Sequence, residues 1–305
     1  MTEKREIDLS IVILNYNTKN TLEECLNSLE KVKSEIDSEI IVVDNGSTDG
    51  SVEMARKEFP RAKVIESKKN LGFAAGNNIA KQYVKGKYIL FLNSDTVVHK
   101  NTLKESFEYM EIHKAVGAMT CKMILANGEF DKDTRRSFIT PWIGLTHLFL
   151  KLDRVFPKSK LFGRYWYGYI PDNVEHEVDV IEGAYFFVRI EILDKIGWFD
   201  EEYFLDGENI DLCWRIKADG WKIMYNPKVS ITHFKGAAKG KVNSEFRKKV
   251  PLEKRLKFRM AGVNSMEIFY RKWLWGRYPL PLSLFVLTGI KLMKILRITR
   301  TVIFG

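Results

Sequence analysis

The chain has 305 residues, 45% of them hydrophobic and 29% charged, which excludes a disordered or fibrous protein and suits one large α/β domain or two small ones around a buried core. Its formal charge of +10 is concentrated: from Arg247 onward, fourteen Lys or Arg face two acids, Glu253 and Glu267, which leaves about −2 for everything before. The first 246 residues therefore carry no footprint for a polyanion and no nucleic-acid-binding motif, and nucleic acid is excluded as a partner.

The N-terminal "MTEKREIDLSIVILNYN" has basic residues, but its apolar run is too short for a signal peptide and lacks a small-residue cleavage site, so it reads as a first strand of a cytoplasmic protein. Cys25, Cys121 and Cys213 lie far apart without metal-ligand spacing, which fits a reducing compartment better than a disulfide framework or a zinc site. After the strand "LSIVILNY", Leu22, Leu26, Leu29 and Val32 recur at helical spacing behind Thr21, with Glu24 completing a capping box. "EIIVVDN", a helix from Val52 to Phe59 stopped by Pro60, "AKVIES", a helix from about Ala74 to Val84, "YILFLNSD" and a helix from Thr102 to His113 follow. Such alternation predicts a mostly parallel, Rossmann-like sheet with helices on both faces.

Residues 126–180 lose this rhythm and read as a mobile insertion with short helices, of the kind that serves as a lid. Order returns with the strand and helix in "VIEGAYFFVRIEILDKIGWFD". "GENIDLCWRIKADGW" is a helix stopped at Gly220, and "KIMYNP" and "VSITHF" are two closing strands.

Polar residues gather where strands end, and open α/β sheets bind ligands at their carboxyl edge. Asp44 closes the second strand, where a carboxylate can accept hydrogen bonds from a base or ribose. The turn after the first strand is "NYNTKN" rather than G-x-G-x-x-G, which argues against NAD. "NLGFAAGNN" puts glycines and asparagines at a helix start, suited to an anionic ligand. Asp95 is a hard oxygen ligand for Mg²⁺ or Mn²⁺, and His233, ending the strand "VSITH", is the candidate second ligand. Asp206, Glu208 and Asp211 crowd a helix start and offer a general base. Taken singly, each has a structural alternative: a turn cap for Asp44, a half-buried histidine for His233, and helix-dipole placement for the acids.

In order, Asn15-Tyr16-Asn17, "VVDNGSTDGS", "NLGFAAGNN", "LFLNSDT", "EGAYFFVRIEILDKIGWFDEEYFL", "ENIDLCWR" and "ITHF" closely resemble the family 2 inverting glycosyltransferases of GT-A fold, within them most nearly the bacterial rhamnosyltransferase branch. The resemblance covers roughly residues 8–240 and implies a GT-A domain over 1–240, with 241–305 a basic amphipathic segment. It implies a donor site of Asn15, Asn17, Asp44, Asn70, Gly72, Asn77, Asn93 and Asp95, with Mg²⁺ or Mn²⁺ held by Asp95 and His233. It further implies a general base in the acidic helix start and acceptor specificity in residues 126–180. The implied reaction is metal-dependent transfer, with inversion, from a nucleotide sugar such as dTDP-rhamnose or a UDP-sugar to a glycan or polyprenyl-linked acceptor.

Two departures stand out. Asn93 replaces the first acid of the family's D-x-D motif. Glu208-Asn209 replaces a Glu-Asp pair, and Asn209 cannot accept a proton, so the base is Glu208, Asp206 or Asp211. A sugar-1-phosphate nucleotidyltransferase is a rival, although its Gly-rich basic loop is missing after the first strand. A catalytically silent, membrane-associated sugar-nucleotide-binding protein is a second rival, motivated by Asn209.

In the tail, the uncharged stretch from Tyr278 to Ile290 is too short to span a bilayer. Lys291, Lys294, Arg297 and Arg300 recur every three residues, with Leu292, Ile295, Leu296 and Ile298 largely off their line, and Trp273, Trp275 and Tyr278 supply interfacial rings. This predicts a peripheral, in-plane anchor on the anionic inner leaflet, and a chain ending near Val263 that is soluble and still hydrolyses donor. The alternatives are docking on the catalytic domain or pairing with a second copy.

Overall fold

The computed structural model describes residues 7–235 and 252–304. The boundary expected at residue 240, and the Arg247 that opens the basic run, lie outside them. The first half alternates as its periodicities require: β1 Ile7–Asn15, α1 Lys19–Val32, β2 Ser38–Asp44, α2 Ser51–Glu58, β3 Ala62–Glu66, α3 Phe73–Asn78, β4 Gly86–Asn93, β5 Thr96–Val98, α4 Thr102–Ile112 and β6 Val116–Leu125. The insertion contributes β7 Arg135–Arg136, α5 Pro141–Ile143, α6 Leu152–Val155 and β8 His176–Glu177. Then come β9 Val180–Ile181, β10 Tyr185–Arg189, α7 Ile190–Ile196, α8 Glu208–Ala218 and β11 Lys222–His233. Two tail helices, α9 Leu252–Phe269 and α10 Leu280–Phe304, end the chain.

One sheet in the order β3-β2-β1-β4-β10-β6-β11-β5, with β8 on β11, organises the domain. β1 lies parallel between β2 and β4, and β10 runs antiparallel between β4 and β6. The apolar runs of β1 and β4 are buried because both sheet faces are covered. Leu9, Ile11, Ile13 and Leu90 meet α1, α2 and α4 residues such as Leu22, Leu26, Met54 and Met110 in one core. Val12, Ile41 and Phe91 meet Leu193, Leu212 and Ile216 of α7 and α8 in another. Register then aligns the strand ends: Asn15 pairs with Asp44, and Leu14 with Asn93.

Several expectations change. α1 begins at Lys19 after Thr18, so Thr21 and Glu24 form no capping box; the Thr21 hydroxyl instead donates to Thr18 O at 3.2 Å. The helix expected to reach Val84 ends at Asn78 and continues as a 3₁₀ turn, Ile79–Gln82. The two closing strands are the single β11, whose pairing with β6 shifts between Asn226 and Ser230. Pro227 lies in that gap, where its missing N–H cannot serve a ladder. The insertion is tied down at both ends, since the buried Arg135 donates to Ile170 O at 2.7 Å and Pro171 O at 3.2 Å.

The tail docks on the domain. α9 and α10 form an antiparallel hairpin, pinned by Lys294 on Glu267 at 2.6 Å and Arg255 on Thr301 O at 3.1 Å. A third core of Val263, Phe269, Tyr270, Leu274, Leu287 and Ile290 closes it on Tyr203. The basic line predicted to face lipid is partly turned inward: Lys294 meets Glu267 and Arg297 donates to Arg259 O. A chain ending near Val263, expected above to stay soluble and active, would cut through this core and remove the side chains that cover Tyr203.

Candidate active site

The ends of β1 and β2 build a polar turn. The buried Asp44 takes the Asn15 amide on Oδ1 at 2.8 Å and the N–H groups of Gly46 and Ser47 on Oδ2 at 3.1 and 2.8 Å. Asn15 is held in place by Thr18, whose hydroxyl donates to its Oδ1 at 2.6 Å and lies 2.8 Å from Ser94 Oγ. Asn17, at a φ of 53°, accepts from Thr48 N on its side-chain carbonyl at 2.8 Å. Residues 44–48 are thereby fixed to the first turn before any ligand arrives. An ionised carboxylate has about four acceptor sites, so Asp44 retains capacity for a base or ribose donor.

The loop before α3 closes the other side. Asn45 bridges to Gly72 O at 3.0 Å and takes Leu71 N at 2.9 Å, while Asn70 takes Gly72 N at 2.9 Å. Gly72 has a φ of +91°, and a Cβ there would stand 2.3 Å from Phe204 O. Glycine is needed on both counts. Phe204 O also accepts from Phe73 N at 2.8 Å. Asn77 faces elsewhere: it is buried and donates to Phe73 O within α3.

Asn93 N reaches Ala184 O at 3.3 Å, joining the end of β4 to the start of β10. Two residues on, Asp95 is buried, and its Oδ1 accepts no hydrogen bond. His233, at the end of β11, places Nε2 3.5 Å from that oxygen and Nδ1 3.1 Å from Asp131 Oδ2. Lys235 binds the other Asp131 oxygen at 2.8 Å and also pairs with Asp133. Burial works against the imidazolium, but the Asp131 and Asp95 carboxylates override it and hold it up at about 9. Burial likewise opposes charge on Asp131, which His233 and Lys235 hold down at about 2.

Among the described residues, no group of three His, Cys, Asp or Glu side chains is assembled for a metal ion. The fit of a divalent cation is decided by the lone buried oxygen of Asp95 beside His233 Nε2. Once a cation displaces the proton held on His233, one carboxylate oxygen and one neutral imidazole, completed by diphosphate oxygens and water, would form a donor set that Mg²⁺ or Mn²⁺ accepts.

The acidic helix start separates into three different environments. Asp211 is fully buried and saturated: Arg215 Nε and Trp273 Nε1 each reach it at 2.7 Å, Lys272 Nζ at 3.0 Å and Tyr203 OH at 3.5 Å. Glu208 is buried, with Gly207 N as its donor at 3.0 Å. Burial pushes its carboxyl up to about 8, against backbone N–H groups and with help from the charges of Asp206 and Glu182. Asp206 is exposed at a φ of 63°. Asn209 donates to Ile181 O at 2.7 Å, three residues before the Ala184 that holds Asn93. The start of α8 is thus bonded to the same sheet edge as Asp95.

The sequence reading missed Asp131, Lys235 and Glu182. Asp131 and Lys235 sit in turns with no periodic signal, and only pairing with His233 reveals them. Trp273 was visible as an interfacial residue, but nothing in the sequence pointed it or Lys272 at Asp211.

A parallel-centred α/β sheet with Asn15 and Asp44 at its carboxyl edge and Asp95 beside His233 is the architecture of a GT-A-type glycosyltransferase. Residues 10–197 match the model of glycosyl transferase family 2, and the chain belongs to that family. It is 28% identical over 171 residues to the Escherichia coli rhamnosyltransferase WbbL, covering 53% of this chain and 61% of WbbL. It is 23% identical over 244 residues to an N-acetylglucosaminyl-diphospho-decaprenol L-rhamnosyltransferase of Mycobacterium tuberculosis, covering 76% and 78%. The fold is similar to that of the Pyrobaculum calidifontis mannosyltransferase PcManGT in complex with GDP-Man and Mn²⁺ (TM-score 0.55, 16% identity, 99% and 77% coverage). It is also similar to Staphylococcus aureus TarS 1-349 in complex with UDP-GlcNAc (TM-score 0.51, 20% identity, 85% and 66% coverage). The match is to a transferase family, which leaves the nucleotidyltransferase and silent-binder readings without support.

Proposed function

We propose that the protein transfers a sugar, with inversion, from a nucleoside diphosphate donor to a hydroxyl of a glycan or polyprenyl-linked acceptor, and that the donor is dTDP-rhamnose. The two rhamnosyltransferases among its relatives support the choice of sugar. The observation that supports the reading is that Asp44, the buried Asp95 beside His233, and buried Glu208, on the helix whose Asn209 bonds Ile181 O, all sit at or against the ends of strands of the one domain.

Asp44 and the 70–72 loop hold the nucleoside end. Asp95 and His233 would hold a divalent cation, which would supply positive charge beside the departing diphosphate. Asp131 keeps His233 Nδ1 occupied, which leaves Nε2 toward Asp95. Glu208 removes the acceptor hydroxyl proton, and a carboxyl near 8 suits a base that works at neutral to mildly alkaline pH. Asp211, with both oxygens engaged, orients the helix instead.

The test is release of nucleoside diphosphate from a panel of nucleotide sugars with Mg²⁺ or Mn²⁺ present. Release from dTDP-rhamnose alone, abolished by chelation, is expected. Chelator-resistant release, or preference for a UDP-sugar, would overturn the metal or the donor assignment respectively.

A further inference from the structure

α10 carries two opposite stripes. Ser283, Leu287, Ile290 and Thr301 are buried against α9 and the domain. Half a turn round, Phe285, Gly289, Leu292, Leu296 and Ile303 recur at intervals of three, four and seven residues, and all but the glycine are more than half exposed. The insertion meets this outer stripe. A Cβ on Gly289 would stand 3.3 Å from Phe149 Cζ, and Phe149, Leu150, Phe156 and Leu161 are themselves at least half exposed. Two segments that meet at Phe149 and Gly289, 140 positions apart in sequence, thus present adjoining exposed apolar side chains.

The charges around it have one sign. Lys151, Arg154, Lys158, Lys160 and Arg164 are exposed in the insertion, and Lys291 and Arg300 flank the α10 stripe. Between Trp142 and Arg164 there is a single acid, Asp153, which is buried and held by His147 at 2.9 Å and Trp166 at 3.1 Å. Among the described residues, no helix is long and apolar enough to cross a membrane.

We propose that the insertion and α10 together form one docking surface for an anionic lipid bilayer, with the apolar stripe of α10 and Phe149 entering the headgroup boundary and the insertion's lysines and arginines resting on lipid phosphates. A second copy of the chain is the competing occupant, but a two-fold contact would set the insertion's cations against their own images. Docking of this kind is independent of the transferase chemistry and is read without donor.

The experiment is sedimentation of the full chain with phosphatidylcholine vesicles, with and without phosphatidylglycerol, at low and high salt. Binding to the anionic vesicles at low salt is expected. With each basic residue near an anionic surface contributing about 1 kcal/mol, Lys158→Glu, Lys160→Glu and Arg164→Glu together lower partitioning by roughly a hundredfold or more. Leu292→Ser with Leu296→Ser lowers it as well, and both variants keep the parent Tm because every changed side chain is exposed. If the charge-reversed variant binds like the parent, the insertion is not part of the surface. If the parent ignores anionic vesicles and instead sediments as a dimer that Leu292→Ser with Leu296→Ser breaks, the occupant is a second copy.

Discussion

Substituting Asp211 and Glu208 separately distinguishes a structural carboxylate from a reacting one. Asp211→Ala removes the shared acceptor of Arg215, Trp273 and Lys272. Breaking a buried charge pair costs about 3–5 kcal/mol. Arg215 keeps the carbonyls of Ile196, Gly197 and Trp198, and Lys272 keeps Asp200, so the lower end applies. At about 2–4 °C per kcal/mol for a chain of this size, Tm falls by roughly 6–12 °C. Glu208→Gln replaces a carboxyl already pushed up to about 8 with its neutral isostere, so Tm at neutral pH does not fall below the parent's while transfer drops by roughly 10² to 10⁴. The sign with pH follows from linkage. A carboxyl raised in the folded state stabilises fully below its unfolded value near 4.5, and that contribution is lost as pH rises through about 8. The Tm difference between Glu208→Gln and the parent therefore moves in the variant's favour across that window, and the acid limb of the parent's transfer rate disappears in the variant. Thermal melts at several pH values, paired with donor-release rates, measure both. A Tm collapse in Glu208→Gln with unchanged transfer, or loss of transfer in Asp211→Ala at parental Tm, would refute the division of roles.

Asp95→Ala should abolish metal-dependent donor binding, whereas Asp44→Ala weakens nucleotide binding and leaves metal dependence in place; calorimetric titration with and without chelator separates the two. Gly72→Ala forces a Cβ against Phe204 O in a conformation that L residues avoid, so lowered Tm and weaker donor binding are expected together. Asn209→Asp restores the family's acidic pair in sequence but deletes the donor to Ile181 O and sets two acceptors face to face, so thermal stability and transfer should both fall rather than rise.

Most of the sheet was legible because β1, β2 and β4 are apolar on both faces and end in polar residues, a pattern with one comfortable place in an α/β fold. β11 was misread as two strands because Pro227 punctuates it, and sequence cannot show that the neighbouring strand tolerates a register shift there. Asp44, Asp95, His233 and Glu208 were legible from their strand-end or helix-start positions. Asp131 was not, because its importance lies in distance to His233, across 102 residues of chain. The tail was legible as amphipathic but not as two-sided, since its heptad-like spacing shows two stripes without showing which one finds a partner.

Phe204 links parts of the molecule that sequence keeps far apart. Its carbonyl receives Phe73 N beside Gly72, and its ring lies under Lys257 Nζ at 3.9 Å and edge-on to Phe258 of α9. The 70–72 loop and the C-terminal helix hairpin therefore lean on the same residue. Exchanging this hairpin between relatives also replaces a wall behind that loop. A chimera that keeps the loop's conformation has to carry residues 203–207 and Gly72 along with the hairpin.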